Sequence, residues 1–451
     1  MNTVRATEVR TTTTSEATPA TEAAGATGAT GATGARGLLR GGSLLAVAML
    51  VANVGNYVLN LYLGRVLTPA EFSDANLMVT FLFTLTSIAL CLQLVAARFV
   101  ARTDQLGFAG DSDRLARRLR RIALVAGVLT AAVLAGAAPF WSTVFQTASA
   151  WPFVILAVGV PFWLVQAVGR GVMQARLMFP ALAFSFVIEM LTRVGLGVLL
   201  VSSGMGVAGA TTALSVSFVV TCAAVTIAGR SHHERTGPGI PGHEVRSYAA
   251  LVSVLLVGQI VANNSDIFVA KAFLEPSEAG IYAAVALVGR AVFFLAWSVA
   301  TVVFPVVARR HASGGDSTTV LRGGLLAVVA IGCACSVGAL LLGGPVLAVV
   351  LGPTYGHLSG ALAAYAGMTT LFAVGNLVAS FRLSQSRVLE SWLLLGASGL
   401  QLVLLLRWHA DLTQLIAVQY VAMATLLLAL GALAVAGRSW PSNPTPREVL
   451  P

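Results

Sequence analysis

Leu67-Thr-Pro69-Ala-Glu71-Phe-Ser73 returns 207 residues later as Leu274-Glu-Pro276-Ser-Glu278-Ala-Gly280. Each copy reads Leu-x-Pro-x-Glu-x-small, and each follows a long apolar run. A second pair, Met173-Gln174-Ala175-Arg176 and Ser384-Gln385-Ser386-Arg387, stands at an offset of 211. Two short matches at nearly one offset indicate a chain built twice over.

Composition says what those apolar runs are. Of 451 residues 57% are hydrophobic and 10% charged, with a mean hydropathy of +0.84. A soluble domain carries about 25% charged residues, so this chain cannot cover a globule with polar surface. A soluble enzyme, a DNA-binding protein and a secreted disulfide scaffold are thereby excluded. A membrane helix needs about 20 apolar residues, and twelve such runs can be drawn: 42–63, 77–99, 122–141, 151–170, 180–202, 206–228, 248–270, 280–307, 323–342, 359–380, 389–406 and 414–436. Residues 1–40 are a Thr/Ala/Gly-rich cytoplasmic tail expected to be disordered. Residues 41–229 form an N-lobe of six spans, 230–246 a cytoplasmic linker, 247–437 a C-lobe of six spans, and 438–451 a cytoplasmic tail. Six is even, so the two halves enter the membrane in the same direction. They are related by a pseudo-two-fold axis along the membrane normal.

Basic residues test this map. With the N-terminus inside, 23 of the 28 fall in the tails and even-numbered connections. Three (Arg65, Lys271 and Arg407) fall outside, and Arg193 and Arg290 lie within spans. The asymmetry is that of the positive-inside rule, and dropping one span would scramble it. It also accounts for the net charge of +10. The basic loops face anionic lipid headgroups, and no nucleic-acid partner is expected. Both termini are expected in the cytoplasm, and the chain in a bacterial plasma membrane.

Known soluble chemistries find no foothold. The sole lysine, Lys271, is followed by alanine, whereas a phosphate-binding P-loop needs Gly-Lys-Ser/Thr. Cys91, Cys222, Cys333 and Cys335 all lie in apolar runs, which suits packing better than disulfides or zinc. His232, His233 and Glu234 share a polar loop and read as solvated. No metal and no cofactor is expected, apart from Na+ or H+ as a coupling ion.

The first span and its exit, Asn53-Val-Gly-Asn56-Tyr-Val-Leu-Asn60-Leu-Tyr-Leu-Gly-Arg65-Val-Leu-Thr-Pro69-Ala-Glu71, resembles the start of polysaccharide exporters. So does Asp266-Ile-Phe-Val-Ala-Lys271-Ala-Phe-Leu-Glu-Pro-Ser-Glu278-Ala-Gly280-Ile-Tyr282. Leu351-Gly-Pro-Thr-Tyr355 fits the same pattern. The resemblance spans about residues 42–436, to the multidrug/oligosaccharidyl-lipid/polysaccharide exporter superfamily and its O-antigen-type flippase branch. It implies two six-helix lobes, alternating access, and flipping of an undecaprenyl-diphosphate-linked oligosaccharide.

Polar groups within the spans are the candidate site, because a charge at mid-bilayer costs at least about 2.5–3.5 kcal/mol and faces a cavity or a partner. Arg290 has no acidic residue within one turn. It requires an anionic headgroup, which a guanidinium can grip by two parallel bonds, or a partner such as Glu189 or Asp266. Its position resembles that of a cavity arginine in lipid II flippases. Glu189 and Arg193, at i and i+4, either neutralise each other or part when an anion competes. Asp266 shares a face with Gln259 and Asn263. That face could hold Na+, Asp266 could carry a proton, or Asp266 could pair with Lys271. Related transporters place a cation site on this helix. Asn53, Asn56 and Asn60 form a stripe that could bind sugar hydroxyls or bond neighbouring helices.

The leading reading is a lipid-linked oligosaccharide flippase, not an enzyme, serving polysaccharide biosynthesis. A cation-coupled multidrug antiporter is the alternative. A membrane glycosyltransferase or polymerase is more remote, since every connection is short. A scaffold recruiting polysaccharide-synthesis enzymes is the last.

Overall fold

The computed structural model describes residues 20–229, 241–293, 295, 318–384 and 389–435, and among them it is helical throughout with no strand. The N-terminal half comprises α1 (Ala20–Val66), α2 (Pro69–Gln105), α3 (Ala109–Gly136), a short α4 (Ala138–Val144), α5 (Trp151–Ala175), α6 (Phe179–Leu200) and α7 (Gly206–Ala228). The C-terminal half comprises α8 (Gly242–Phe273), α9 (Pro276–Gly289), α10 (Thr318–Val350), α11 (Ser359–Ser384), α12 (Leu389–Arg407) and α13 (Leu412–Val435). Among the described residues ten segments are long and apolar enough to cross a membrane. One of these, Phe179–Ala228, holds two of the runs read from the sequence. The chain reverses there at Gly204 and Gly206, both with positive φ, a conformation a side chain would resist. The eighth run begins as α9.

In the structure the repeated motif starts helices: Pro69 opens α2 and Pro276 opens α9. Thr68 Oγ1 accepts from the Glu71 backbone N–H, and Glu71 Oε2 accepts from the Thr68 N–H at 3.0 Å. That reciprocal pair satisfies two donors that the start of α2 would leave open. The start of α9 shares the proline and the first-turn glutamate, Glu278, but has no side-chain cap bond.

Packing repeats along with sequence. In the first half α1 packs on α6, both α2 and α3 on α5, and α7 on both α5 and α6. In the second, α8 packs on α12, both α9 and α10 on α11, and α13 on both α11 and α12. Position by position these are the same pairings, so each half is one six-span lobe. The lobes meet where α2 lies against α8 and α9. Large apolar side chains such as Leu44, Val47, Val51, Val54 and Val58 are exposed along α1, while Arg170, Glu189, Arg193, Asp266 and Lys271 are buried. That inversion suits acyl chains outside and polar groups within.

α1 runs from Ala20 through the first span. The rest of the tail, most of the 230–246 linker with His232, His233 and Glu234, and the 438–451 tail lie outside the described residues. Two sequence expectations change. Arg170, the last residue of the run 151–170, is one of the 23 basic residues assigned from the sequence to the inner connections, but it does not sit in a connection. It lies inside α5 and is 4% exposed, because an acidic partner on α6 lets the helix run past the apolar segment. Lys271 is not a loop residue either: it is in the last turn of α8 and 2% exposed.

At the Arg-poor side the two copies of the motif touch. A β-carbon on Gly280 would drive into the backbone carbonyl of Pro69. Gly280→Val is therefore expected to cost about 1–3 kcal/mol by overpacking. The check is the melting midpoint of purified protein, which should fall.

Candidate functional site

Each lobe holds a charged cluster among its spans, built around Glu189 in one and Asp266 in the other. In the N-lobe, α5 contributes Arg170 and Gln166, which lie one turn apart and so share a face. On α6, Glu189 and Arg193 do the same. Glu189 sits ten residues into α6, roughly 15 Å along the helix and near mid-membrane. Its carboxylate binds two guanidiniums: Arg170 Nη2 to Oε2 at 2.7 Å and Arg193 Nη2 to Oε1 at 2.5 Å. Gln166 Nε2 adds a bond to Oε2 at 3.2 Å. Arg170 also donates to Ser185 Oγ and to the Ser185 carbonyl, at 3.0 and 2.9 Å. Arg193 reaches Asn56 Oδ1 on α1 at 3.1 Å and Ser217 Oγ on α7 at 3.4 Å. The rings of Phe186 and Phe218 lie against Arg170 and Arg193, at 4.1 and 5.3 Å to the centroids. A cation gains from such a ring face where water is absent. Two cations share one carboxylate, so this cluster carries one positive charge in excess.

In the C-lobe, Asp266 is wholly buried on α8. Arg290 Nη2 meets its Oδ1 at 2.8 Å. Arg290 follows fourteen residues after Pro276, about 21 Å along the helix, and a helical side chain leans toward its own N-terminus. That lean carries the guanidinium back to Asp266. The Ile267 N–H also donates to Oδ1, at 2.8 Å. Tyr365 of α11 and Tyr282 of α9 donate their hydroxyls to Oδ2, at 2.7 and 3.0 Å. Each tyrosine is held in turn. Arg290 Nε donates to the Tyr365 oxygen at 3.1 Å, and Gln419 Nε2 of α13 to the Tyr282 oxygen at 2.9 Å. Four donors on two oxygens leave Asp266 well compensated, and this cluster is neutral.

The residues named from sequence thus separate. Glu189, Arg193 and Asn56 come together. Asn60 donates back to the Asn56 carbonyl at 2.8 Å, within its own helix, and Asn53 is exposed. Arg290 meets Asp266, not Glu189. Asp266 meets Arg290, not Lys271. Gln259 Nε2 donates to Asn376 Oδ1 on α11 at 2.7 Å. Asn263 is half-buried. A cation at Asp266 would have to displace a guanidinium, and among the described residues no group of three or more His, Cys, Asp or Glu could hold a metal. Sequence reasoning missed Arg170, Gln166, Tyr282, Tyr365 and Gln419. The Gln166/Arg170 spacing was a readable signal. The two tyrosines carried none, because they join Asp266 only through folding.

This arrangement of two six-helix lobes, each with ionised groups buried between its helices, is the architecture of a multi-pass membrane transporter. The solved structures agree on the fold. An inward-facing multidrug resistance MATE family transporter of the MOP superfamily matches with a TM-score of 0.71 at 14% identity, over 87% of this chain and 98% of that one. The lipid II flippase MurJ, in an inward closed conformation, matches at 0.69 and 11% identity, over 88% and 87%. A MOP superfamily transporter from Pyrococcus furiosus, described as having a binding pocket of reverse polarity, matches at 0.57 and 15%, over 89% and 96%. No curated protein sequence matches the chain. Residues 38–311 match the model of the polysaccharide biosynthesis protein family, and the chain belongs to that family.

Proposed function

We propose that the protein flips an undecaprenyl-diphosphate-linked oligosaccharide across the bacterial plasma membrane by alternating access, with both termini cytoplasmic. The observation that carries this reading is the unbalanced positive charge around Glu189. A buried excess charge is costly, and a mobile anion entering from between the lobes would offset it. Arg193 is the group placed to respond, since it bridges α6 to Asn56 of α1. A diphosphate headgroup has the charge and the paired oxygens to compete with Glu189 for that guanidinium. The cationic drug of a multidrug antiporter would be repelled. Exposed Arg114, Arg117, Arg118 and Arg121 line the start of α3. They suit a cytoplasmic leaflet rich in anionic lipid.

Deleting the gene tests the reading. Cells should lose surface polysaccharide and accumulate the lipid-linked precursor, with unchanged drug susceptibility. Raised susceptibility with normal polysaccharide would favour the antiporter instead. Coupling to Na+ or H+ would run through Asp266 and would require Arg290 to let go. Asp266→Asn is then expected to change the ion dependence of flipping in proteoliposomes, and an identical ion profile would discard that coupling.

A further inference from the structure

The chain has one lysine, and it is buried at the seam between the lobes. Lys271 Nζ lies 2.6 Å from Oδ1 of Asp74 on α2. The contact is electrostatic, since Oδ1 receives no well-directed hydrogen bond. The ammonium donates to Ser73 Oγ at 2.8 Å and approaches the Gln146 carbonyl at 3.5 Å. Every one of these partners belongs to the N-lobe. Asp74 Oδ2 accepts the Ala148 N–H at 3.1 Å, which ties the loop after α4 to the same carboxylate. Gln146 completes a clasp. Its backbone takes Lys271 while its side-chain amide donates to the Ala272 carbonyl at 3.0 Å, and its own φ is positive, at 48°. Beside the clasp, Gly280 abuts the Pro69 carbonyl, Gly64 lies against Leu351, and Arg65 donates to the Val349 carbonyl.

Apart from the Asp74–Ala148 bond, which lies within the N-lobe, these contacts join the lobes on the Arg-poor side, and all lie within or next to the duplicated Leu-x-Pro-x-Glu segments. Ser73 and Gly280 end the two copies. One meets Lys271 and the other meets the first copy's proline. We infer that the duplicated motif is the Arg-poor gate of the transporter and that Lys271–Asp74 is its bolt. Opening on that side requires the bolt to break and both charges to be rehydrated. Closure returns them to a site where the ammonium has a carboxylate, a hydroxyl and a carbonyl around it. A buried ion pair is costly to strand by removing one partner, and apolar replacement of both is far better tolerated. Removing either partner alone therefore disfavours the state closed on this side, because only opening rehydrates the stranded charge. The inference presumes a transporter that alternates between two states. It makes no use of the substrate, so its failure is separable from failure of the flippase reading.

The test uses full-length protein in proteoliposomes. Spin labels go on exposed Thr143→Cys in one lobe and Ser277→Cys in the other, with the four native cysteines replaced. Lys271→Met is expected to add a longer inter-lobe distance that the parent lacks, and Asp74→Asn should do the same. Lys271→Arg, which keeps the charge, should restore the parent distribution, and Lys271→Met/Asp74→Leu should restore most of it. A second reading needs no substitution at the bolt. A membrane-impermeant amine reagent should modify Lys271 in the parent at least about tenfold more slowly than an exposed lysine introduced at Ser277, since the closed state hides a paired charge. Lys271→Arg supplies the blank for the chain's amino terminus. Unchanged distances in Lys271→Met and Asp74→Asn, or labelling of parental Lys271 at the exposed rate, would overturn the inference.

Discussion

Glu189→Ala is expected to be the most damaging substitution in the molecule. It removes the one carboxylate that two buried guanidiniums share, leaving Arg170 and Arg193 as like charges on adjacent helices. Stranding a single buried charge costs about 3–5 kcal/mol, and here two are stranded and repel each other. Yield and melting midpoint should both collapse, with loss of surface polysaccharide following from loss of protein. Glu189→Gln keeps the shape and one acceptor, so it should fold better while still failing to neutralise either arginine. Removing a cation as well should help: Glu189→Gln/Arg170→Met leaves one charge in the cluster and should be more stable than Glu189→Ala. Thermal melting of the purified variants in one detergent checks this order. A Glu189→Ala protein that melts like the parent would mean the cluster is hydrated, and the excess-charge argument would fall with it.

Arg290→Ala should give the second-largest effect, but of a different kind. Asp266 loses its cation yet keeps both tyrosine hydroxyls and a backbone N–H. Those three donors still compensate part of the carboxylate's charge. The stability loss should therefore be smaller than for Glu189→Ala, near the lower end of about 3–5 kcal/mol, while surface polysaccharide should disappear. Arg290→Ala/Asp266→Asn removes the unpaired charge and should recover stability without recovering export. That split between folding and transport is the informative result. If the double variant exports glycan normally, the pair is structural and takes no part in the cycle.

Much of the fold could be read before any coordinates. Twelve apolar runs, the one-sided arginines and the Leu-x-Pro-x-Glu duplication led to two parallel six-span lobes. Those signals are local: a run of apolar residues must cross lipid wherever it falls, and a repeated motif is read from the chain itself. The same reasoning misplaced Arg170 and Lys271. A charge near the end of a span looks like loop unless its partner is visible, and their partners stand on other helices, 19 and 197 positions away in the chain.

Sequence alone determined that the chain lives in a bilayer, that it is built from two like halves, and that its mid-membrane charges had to find partners. The partners themselves were a matter of tertiary structure. Asp266 chose Arg290 and two tyrosines over Lys271, Lys271 crossed to Asp74, and Glu189 took two arginines. The physical reason is that hydrophobicity and helix starts are properties of neighbouring residues. Compensation of a buried charge depends on which side chains helix packing brings within about 3 Å, and spacing along the chain does not encode that.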